Sequence, residues 1–190
     1  MKSKLFFAAS ALCAVLFTGC LVPSLEPLFE EKDLVAYSDL IGTWTQDGKG
    51  EDSWQFEKDG KYYKLTHVDS KKRTATFVGS VGKLGTNVFL DLFPGDSKLE
   101  GQVNDLQLVH LAPVHTFVKL SKQGSALHLT AMDIEWLNEA LKQNPKLISH
   151  VSRKEYAILT ASTPELQKFV TTYGDNTNVF KNVIKLESKK

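Results

Sequence analysis

The chain has 190 residues and a formal net charge of +1, from 23 Lys plus Arg against 22 Asp plus Glu. That balance excludes a nucleic-acid binder working through a broad basic surface. With 42% apolar and 24% charged residues it is not wholesale disordered, and two cysteines are too few for a disulfide scaffold. Lys2 and Lys4 open the chain, and Leu5 to Phe17 is an apolar run of about 13 residues. A bilayer span needs roughly 20 residues, so this run is too short to cross. A basic start followed by a short apolar core is the layout of a secretory signal. Thr18 and Gly19 then place small side chains before Cys20, where a peptidase must grip extended backbone.

Leu16-Phe17-Thr18-Gly19-Cys20 resembles the lipobox of bacterial lipoproteins, with Phe17 where that family usually has Leu. The resemblance implies a diacylglycerol thioether on Cys20, cleavage before it, and acylation of the new amine, palmitate being one such acyl chain. Residues 1–19 would leave as the signal, taking two lysines, no acid and Cys13, so that 171 residues with net charge −1 remain. With Cys20 blocked by lipid, no free thiol would remain, and stability must come from a hydrophobic core. Two or more buried acyl chains make a stable anchor, at about 0.8 kcal/mol per methylene. Leu21, a non-Asp residue after the cysteine, implies sorting to the outer membrane, facing the periplasm, in a cell with two membranes. Residues 20–38 read as a lipidated tether: Pro23 and Pro27 favour extended chain, and Glu26, Glu30, Glu31 and Asp33 keep it wet. Leu25, Leu28 and Phe29 are apolar enough for part of it to dock on the domain that follows.

Residues 39–190 read as a single β-rich domain. From about 40 to 131 the hydrophobic period is mostly two, with recurrent Gly and Asp-Gly punctuation, the pattern of antiparallel sheet. Thr43–Gln46 is the first predicted strand. Asp59-Gly60 predicts a two-residue hairpin turn that sets Phe56 opposite Tyr63 and Trp54 opposite Leu65, these four sharing one face. Further strands are predicted at Thr74–Val81, Asn87–Phe93, Asp105–Leu111, Val114–Leu120 and Ala126–Ala131, with a turn at Lys122 to Ser125. About eight short-linked strands suffice for a barrel or a sandwich. A helix follows at 133–144, with Ile134, Leu137 and Leu141 on one side, Asp133 as cap and Pro145 as stop. Tyr156–Ala161 reads as a strand. A second helix at 164–173 has Thr163 as cap, Pro164 at its first position, and a stripe of Leu166, Phe169, Val170 and Tyr173 ended by Gly174. The fold class is therefore mainly β with C-terminal α (α+β), the helices packing on the sheet or closing a barrel end.

Gly42-Thr43-Trp44 resembles the Gly-x-Trp at the start of lipocalin-like β-barrels, a likeness covering residues 40–131. It implies an antiparallel barrel or strongly curled sheet whose floor Trp44 plugs. Gly-Thr-Trp, Trp-x-Phe, Asp-Gly-x-Tyr and His-Leu-x-Pro-x-His together resemble a set of uncharacterised bacterial lipoproteins.

No Gly-x-Ser-x-Gly, phosphate loop or free catalytic cysteine is present, so the chain reads as non-catalytic, with no cofactor and no metal. Of the histidines, His110 and His115 flank Leu-Ala-Pro-Val, and His115 and His128 fall in adjacent predicted strands. Zinc would need three or four ligands converging. Asp91, inside Phe-Leu-Asp-Leu-Phe, is costly to bury unless bonded. It either pairs or accepts backbone hydrogen bonds, or it serves a pocket. Candidate ligand-binding residues are Trp44, Trp54, Phe56, Tyr63, Asp91 and His115. Three readings follow: a module holding a small apolar ligand beside the membrane, an interaction lipoprotein docking an envelope protein partner, and a hydrolase using Asp91 with histidine. Lys71-Lys72-Arg73 reads as a solvated hairpin tip or a contact for anionic lipid heads.

Overall fold

The structure is a computed structural model that describes residues 21–46, 48, 50, 52–95, 111–153 and 156–189. The described strands are β1 (Pro23–Ser24), β2 (Gly42–Thr45), β3 (Ser53–Asp59), β4 (Tyr62–Val68), β5 (Thr74–Leu84), β6 (Asn87–Pro94), β7 (His115–Gln123), β8 (Ala126–Met132), β9 (His150–Ser152), β10 (Ala157–Leu159) and β11 (Phe180–Ser188). Helix α1 (Ile134–Gln143) precedes β9, and α2 (Thr163–Tyr173) precedes β11. Eight strands close an antiparallel barrel in the order β2-β3-β4-β5-β6-β7-β8-β11, with β11 pairing back onto β2.

Alternation decides the barrel's inside. Trp44, Phe56, Tyr63, Leu65, Val81, Leu90, Val118, Leu120, Leu127, Leu129, Ile184 and Leu186 all point inward and form one buried cluster. Burying each large apolar side chain contributes roughly 1.5–3 kcal/mol relative to exposure. The hairpin faces are as predicted, but its pairing is shifted. Phe56 lies opposite Leu65, Trp54 opposite His67, and Asp59 opposite Tyr62. The turn is therefore Gly60-Lys61. Gly60 has φ +56° and Lys61 stays on the negative side, so one glycine meets the turn's only positive φ. An Asp59-Gly60 turn with both residues at positive φ would have forced a side chain into that region.

The predicted strands at 74–81, 87–93, 114–120 and 126–131 are present and longer. The one at 105–111 lies outside the described residues except for Leu111, which is in no strand. The barrel's eighth strand is instead β11, beyond both helices. Its alternation is broken between Phe180 and Asn182, and Val183 points to solvent, which hides the period.

A second apolar cluster lies outside the barrel. Phe89, Phe117, Met132 and Phe180 on the outer wall meet α1, α2, β10 and the N-terminal segment. Both helices thus pack on the wall. Lys119 on β7 donates to the Gly174 carbonyl at 2.9 Å, where its charge complements the C-terminal end of α2. The cap of α2 is Ser162, one residue before the predicted Thr163: Ser162 and Glu165 form a reciprocal capping box, and Pro164 follows in the first turn.

Residues 21–38, expected as a tether, pack along the domain. Val22, Ser24, Leu28 and Phe29 are buried, and Leu25 alone of the three apolar docking candidates stays exposed. Ser24 of β1 pairs with His115 of β7 on one side and Leu159 of β10 on the other. Together, β1, β10 and β9 form a three-stranded flap off the barrel, and β9 is its free edge.

Asp133 caps α1 as predicted, accepting from the Trp136 N–H at 2.7 Å, and it also meets Lys181 at 3.1 Å and Asn182 at 3.3 Å. Burial alone would raise its pKa. The Trp136 N–H, Lys181 and Asn182 outweigh that and hold it below the ordinary carboxylate value. A carboxylate held down in this way stabilises the fold fully above its unfolded pKa, and the contribution is lost as pH falls through the folded one. Asp133→Ala is therefore expected to cost roughly 1–2 kcal/mol at neutral pH. The difference from wild type should shrink as pH falls below the ordinary carboxylate value and through the lowered folded pKa, as read by urea unfolding across that pH range.

Candidate functional site

The six candidate residues divide between two sides of the barrel wall. Trp44, Trp54, Phe56 and Tyr63 face the interior. The Trp44 indole N–H donates to the Leu40 carbonyl at 2.9 Å, tying the strand to the turn before it. Gly42, at φ +137°, makes the approach that only glycine adopts freely. The Tyr63 hydroxyl accepts from the Tyr37 N–H at 2.7 Å, and Lys58 Nζ sits 4.1 Å from the Tyr63 ring centroid. Trp54 is only partly buried and packs against His67, ring centroids 4.5 Å apart and planes tilted by 53°. Burial pushes the His67 pKa down, so this ring is neutral at pH 7. An eight-stranded barrel is wide enough for its own side chains or for one small ligand. Here Phe56, Tyr63, Leu65, Leu90, Leu127 and Leu129, all nearly or fully buried, occupy that interior.

Asp91 and His115 point outward from β6 and β7 and meet each other. His115 Nδ1 lies 3.0 and 3.1 Å from the two Asp91 oxygens, and its ring packs on Phe93 at 4.5 Å. The Asp91 carboxylate also accepts the Leu28 N–H at 2.8 Å. Of the alternatives left open by the sequence, Asp91 thus pairs and accepts a backbone hydrogen bond. Among the described residues its side-chain partner is a histidine and not a lysine. A His–Asp pair is two parts of a hydrolytic triad. The hydroxyl nearest in register, Ser24, is fully buried and donates to the Glu26 carbonyl at 2.8 Å.

His115 and His128 do lie on adjacent strands, but His128 pairs with Ser121. Six residues of strand, about 20 Å, separate that pair from His115. His110 and Cys20 lie outside the described residues. Among the described residues no group of three or more His, Cys, Asp or Glu is placed to hold a metal ion, and no helix is long and apolar enough to cross a membrane.

A cleft of about 320 Å³ opens over the outer cluster, between α2 and the segment entering β9. Leu147, Ile148, Phe169 and Tyr173 supply its apolar lining, and Lys146, Glu165, Lys168, Ser149 and Thr172 its polar lining. Trp136 on α1 backs the lining, 5.1 Å from Tyr173 and 6.4 Å from Phe169. The Glu165 carboxylate is committed to the Ser162 hydroxyl and N–H, which hold its pKa down. Sequence reasoning placed Phe169 and Tyr173 on the α2 stripe without seeing a site there. That stripe has the spacing of an ordinary buried helix face, so no local signal marked the cleft.

These features define a lipocalin-like α+β barrel, closed by β11 against β2, with apolar side chains packed inside it and, among the described residues, a cleft on its outer wall. No family model matches the chain, and it matches neither a curated protein nor a solved structure.

Proposed function

We propose that this is a lipid-anchored envelope protein, held through Cys20, whose folded part is a non-catalytic binding module for a small apolar ligand. The observation that carries the ligand reading is the cleft against α2, whose floor is apolar and whose rim holds two lysines. Its volume is at the small end of ligand pockets. Among the described residues, the large buried side chains inside the barrel favour this outer cleft over the barrel itself as the binding place. Lys146 and Lys168 at the rim suit a ligand with an anionic end.

The test uses 1-anilinonaphthalene-8-sulfonate as probe and Trp136 emission as one readout. Thr172 is exposed on the cleft rim, and its replacement by Trp covers the opening. Thr172→Trp is expected to weaken probe binding at least about tenfold, or 1.4 kcal/mol, with unfolding unchanged. Equal binding by wild type and variant would sink the cleft reading. Native mass spectrometry of the mature protein should also release a small molecule. A bare mass together with a captured envelope protein would favour the docking reading instead.

A further inference from the structure

Nine large hydrophobic residues are exposed among the described residues, and four of them, Leu25, Leu111, Val151 and Tyr156, collect at one end of the molecule. Three belong to the flap or its margin. Ile158 lies opposite Val151, and the Arg153 N–H donates to the Tyr156 carbonyl, so Val151, Tyr156 and Ile158 share a face. The opposite face carries Ala157 and Leu159, buried in the outer cluster. Ser24 pairs with Leu159 on that buried side, so Leu25 joins the outer face. Leu111 precedes β7, whose first residues hold the flap.

We propose that this outer face of the flap, Leu25, Val151, Tyr156 and Ile158, rests on the surface of the bilayer that carries the anchor. The inference deepens the lipid-anchored reading and rests on it. Its basis is the absence of slack. Cys20 precedes β1 by three residues, which span at most about 11 Å. The chain from Val22 onward is packed into the domain rather than strung out as a tether. A body tied that closely to acyl chains keeps the flap, of which β1 is a strand, within about 11 Å of the anchor and so near the headgroups. Apolar side chains there gain by entering the headgroup and acyl boundary. Charge agrees with this. In the antiparallel ladder the end of β4 and the start of β7 lie at the same end of the barrel, so Lys71, Lys72 and Arg73, all exposed, are at the flap end. Arg73 is paired with Asp69 at 2.6 Å, which leaves the cluster a net positive charge that an anionic lipid surface attracts.

The test uses the full chain purified from membranes in its native form and returned to vesicles of phosphatidylethanolamine and phosphatidylglycerol. Val151→Cys and Tyr156→Cys are each labelled with a nitrobenzoxadiazole dye. Gln123→Cys is the control, exposed at the end of β7 away from the flap. Quenching by aqueous iodide is expected to fall at least about threefold at Val151 and Tyr156 on moving from detergent to vesicles, with Gln123 unchanged, as burial at the lipid boundary requires. Dyes at Val151 and Tyr156 that quench as freely as the one at Gln123, on a chain that stays with the vesicles, overturn the docked face and leave the anchor standing. Shielding in native membranes but not in pure lipid vesicles also overturns it, in favour of a protein partner. A thiol titration separates the two failures. One thiol per variant before labelling fits a processed, lipidated chain, whereas two or three, with Cys20 alone or Cys13 and Cys20 both free, overturns the anchor and the docked face together.

Discussion

Asp91→Ala should cost the fold about 3 kcal/mol or more, because two groups lose a shared hydrogen-bond partner, each at about 1–3 kcal/mol. The carboxylate is 2% exposed and serves three elements at once: β6, which carries it, β7 through His115, and the N-terminal segment through the Leu28 N–H. Alanine leaves the Leu28 N–H without its acceptor and the His115 ring nitrogen without its partner, each inside the outer layer. Asp91→Asn keeps an acceptor for Leu28 and a group for His115, and should lose only about 1–2 kcal/mol, a typical net hydrogen-bond contribution. Urea unfolding of the three proteins gives the comparison. A loss below about 1 kcal/mol for the alanine variant would show that the tie contributes little. The same variants bear on the hydrolase reading, because a purely structural pair predicts that stability follows the substitution while no activity tracks it.

Gly82→Val is expected to be comparably damaging, by a different mechanism. Gly82 faces outward on β5, and a Cβ built there would lie 2.5 Å from Phe29 Cδ1 and 2.6 Å from Cζ. Those distances are far inside van der Waals contact, and the ring is itself buried under neighbouring chain, so it cannot simply turn away. The adjacent Val35 N–H donates to the Val81 carbonyl, and Leu34 bridges to Gly82, so displacing Phe29 peels the segment that runs along β5. The expected loss is about 3–4 kcal/mol, near that of removing a buried phenylalanine. Phe29→Ala alone should cost a similar amount, and the double variant little more than either. A coupling of about 3 kcal/mol would then appear in the cycle. Full additivity would mean that the ring and the glycine do not share the site. Limited proteolysis offers a second readout, with new cuts expected among residues 25–35 in the Gly82→Val protein.

Much of the barrel was legible because its causes are local. Trp54, Phe56, Tyr63 and Leu65 fall on one face by alternation alone, whatever the pairing. A shift of two residues in the hairpin register therefore leaves every side chain on its predicted side. Asp133 and Pro145 bound α1 for reasons confined to one turn of backbone. The misplaced α2 cap shows the limit of such signals: Ser162 and Thr163 are both good caps, and only Glu165, three residues after Ser162, distinguishes them. The site was less legible. Asp91 could be flagged as a carboxylate needing a partner, but nothing local named His115, 24 residues away, or the Leu28 N–H, 63 residues away. Leu147 and Ile148 border the cleft only because the chain after α1 turns back across α2.

The sequence by itself determined the period of the strands, the two helices with their ends, and the lipobox-like run before Cys20. Each of these depends on side chains within a few residues of one another. Only the tertiary structure decided that β11 closes the barrel after both helices, that residues 21–38 become part of the wall and the flap, and that the candidates Asp91 and His115 stand outside while the aromatics fill the inside. Those outcomes depend on which distant strands pair. Pairing partners are chosen by the joint burial of both faces of the barrel wall, a quantity no single stretch of chain contains.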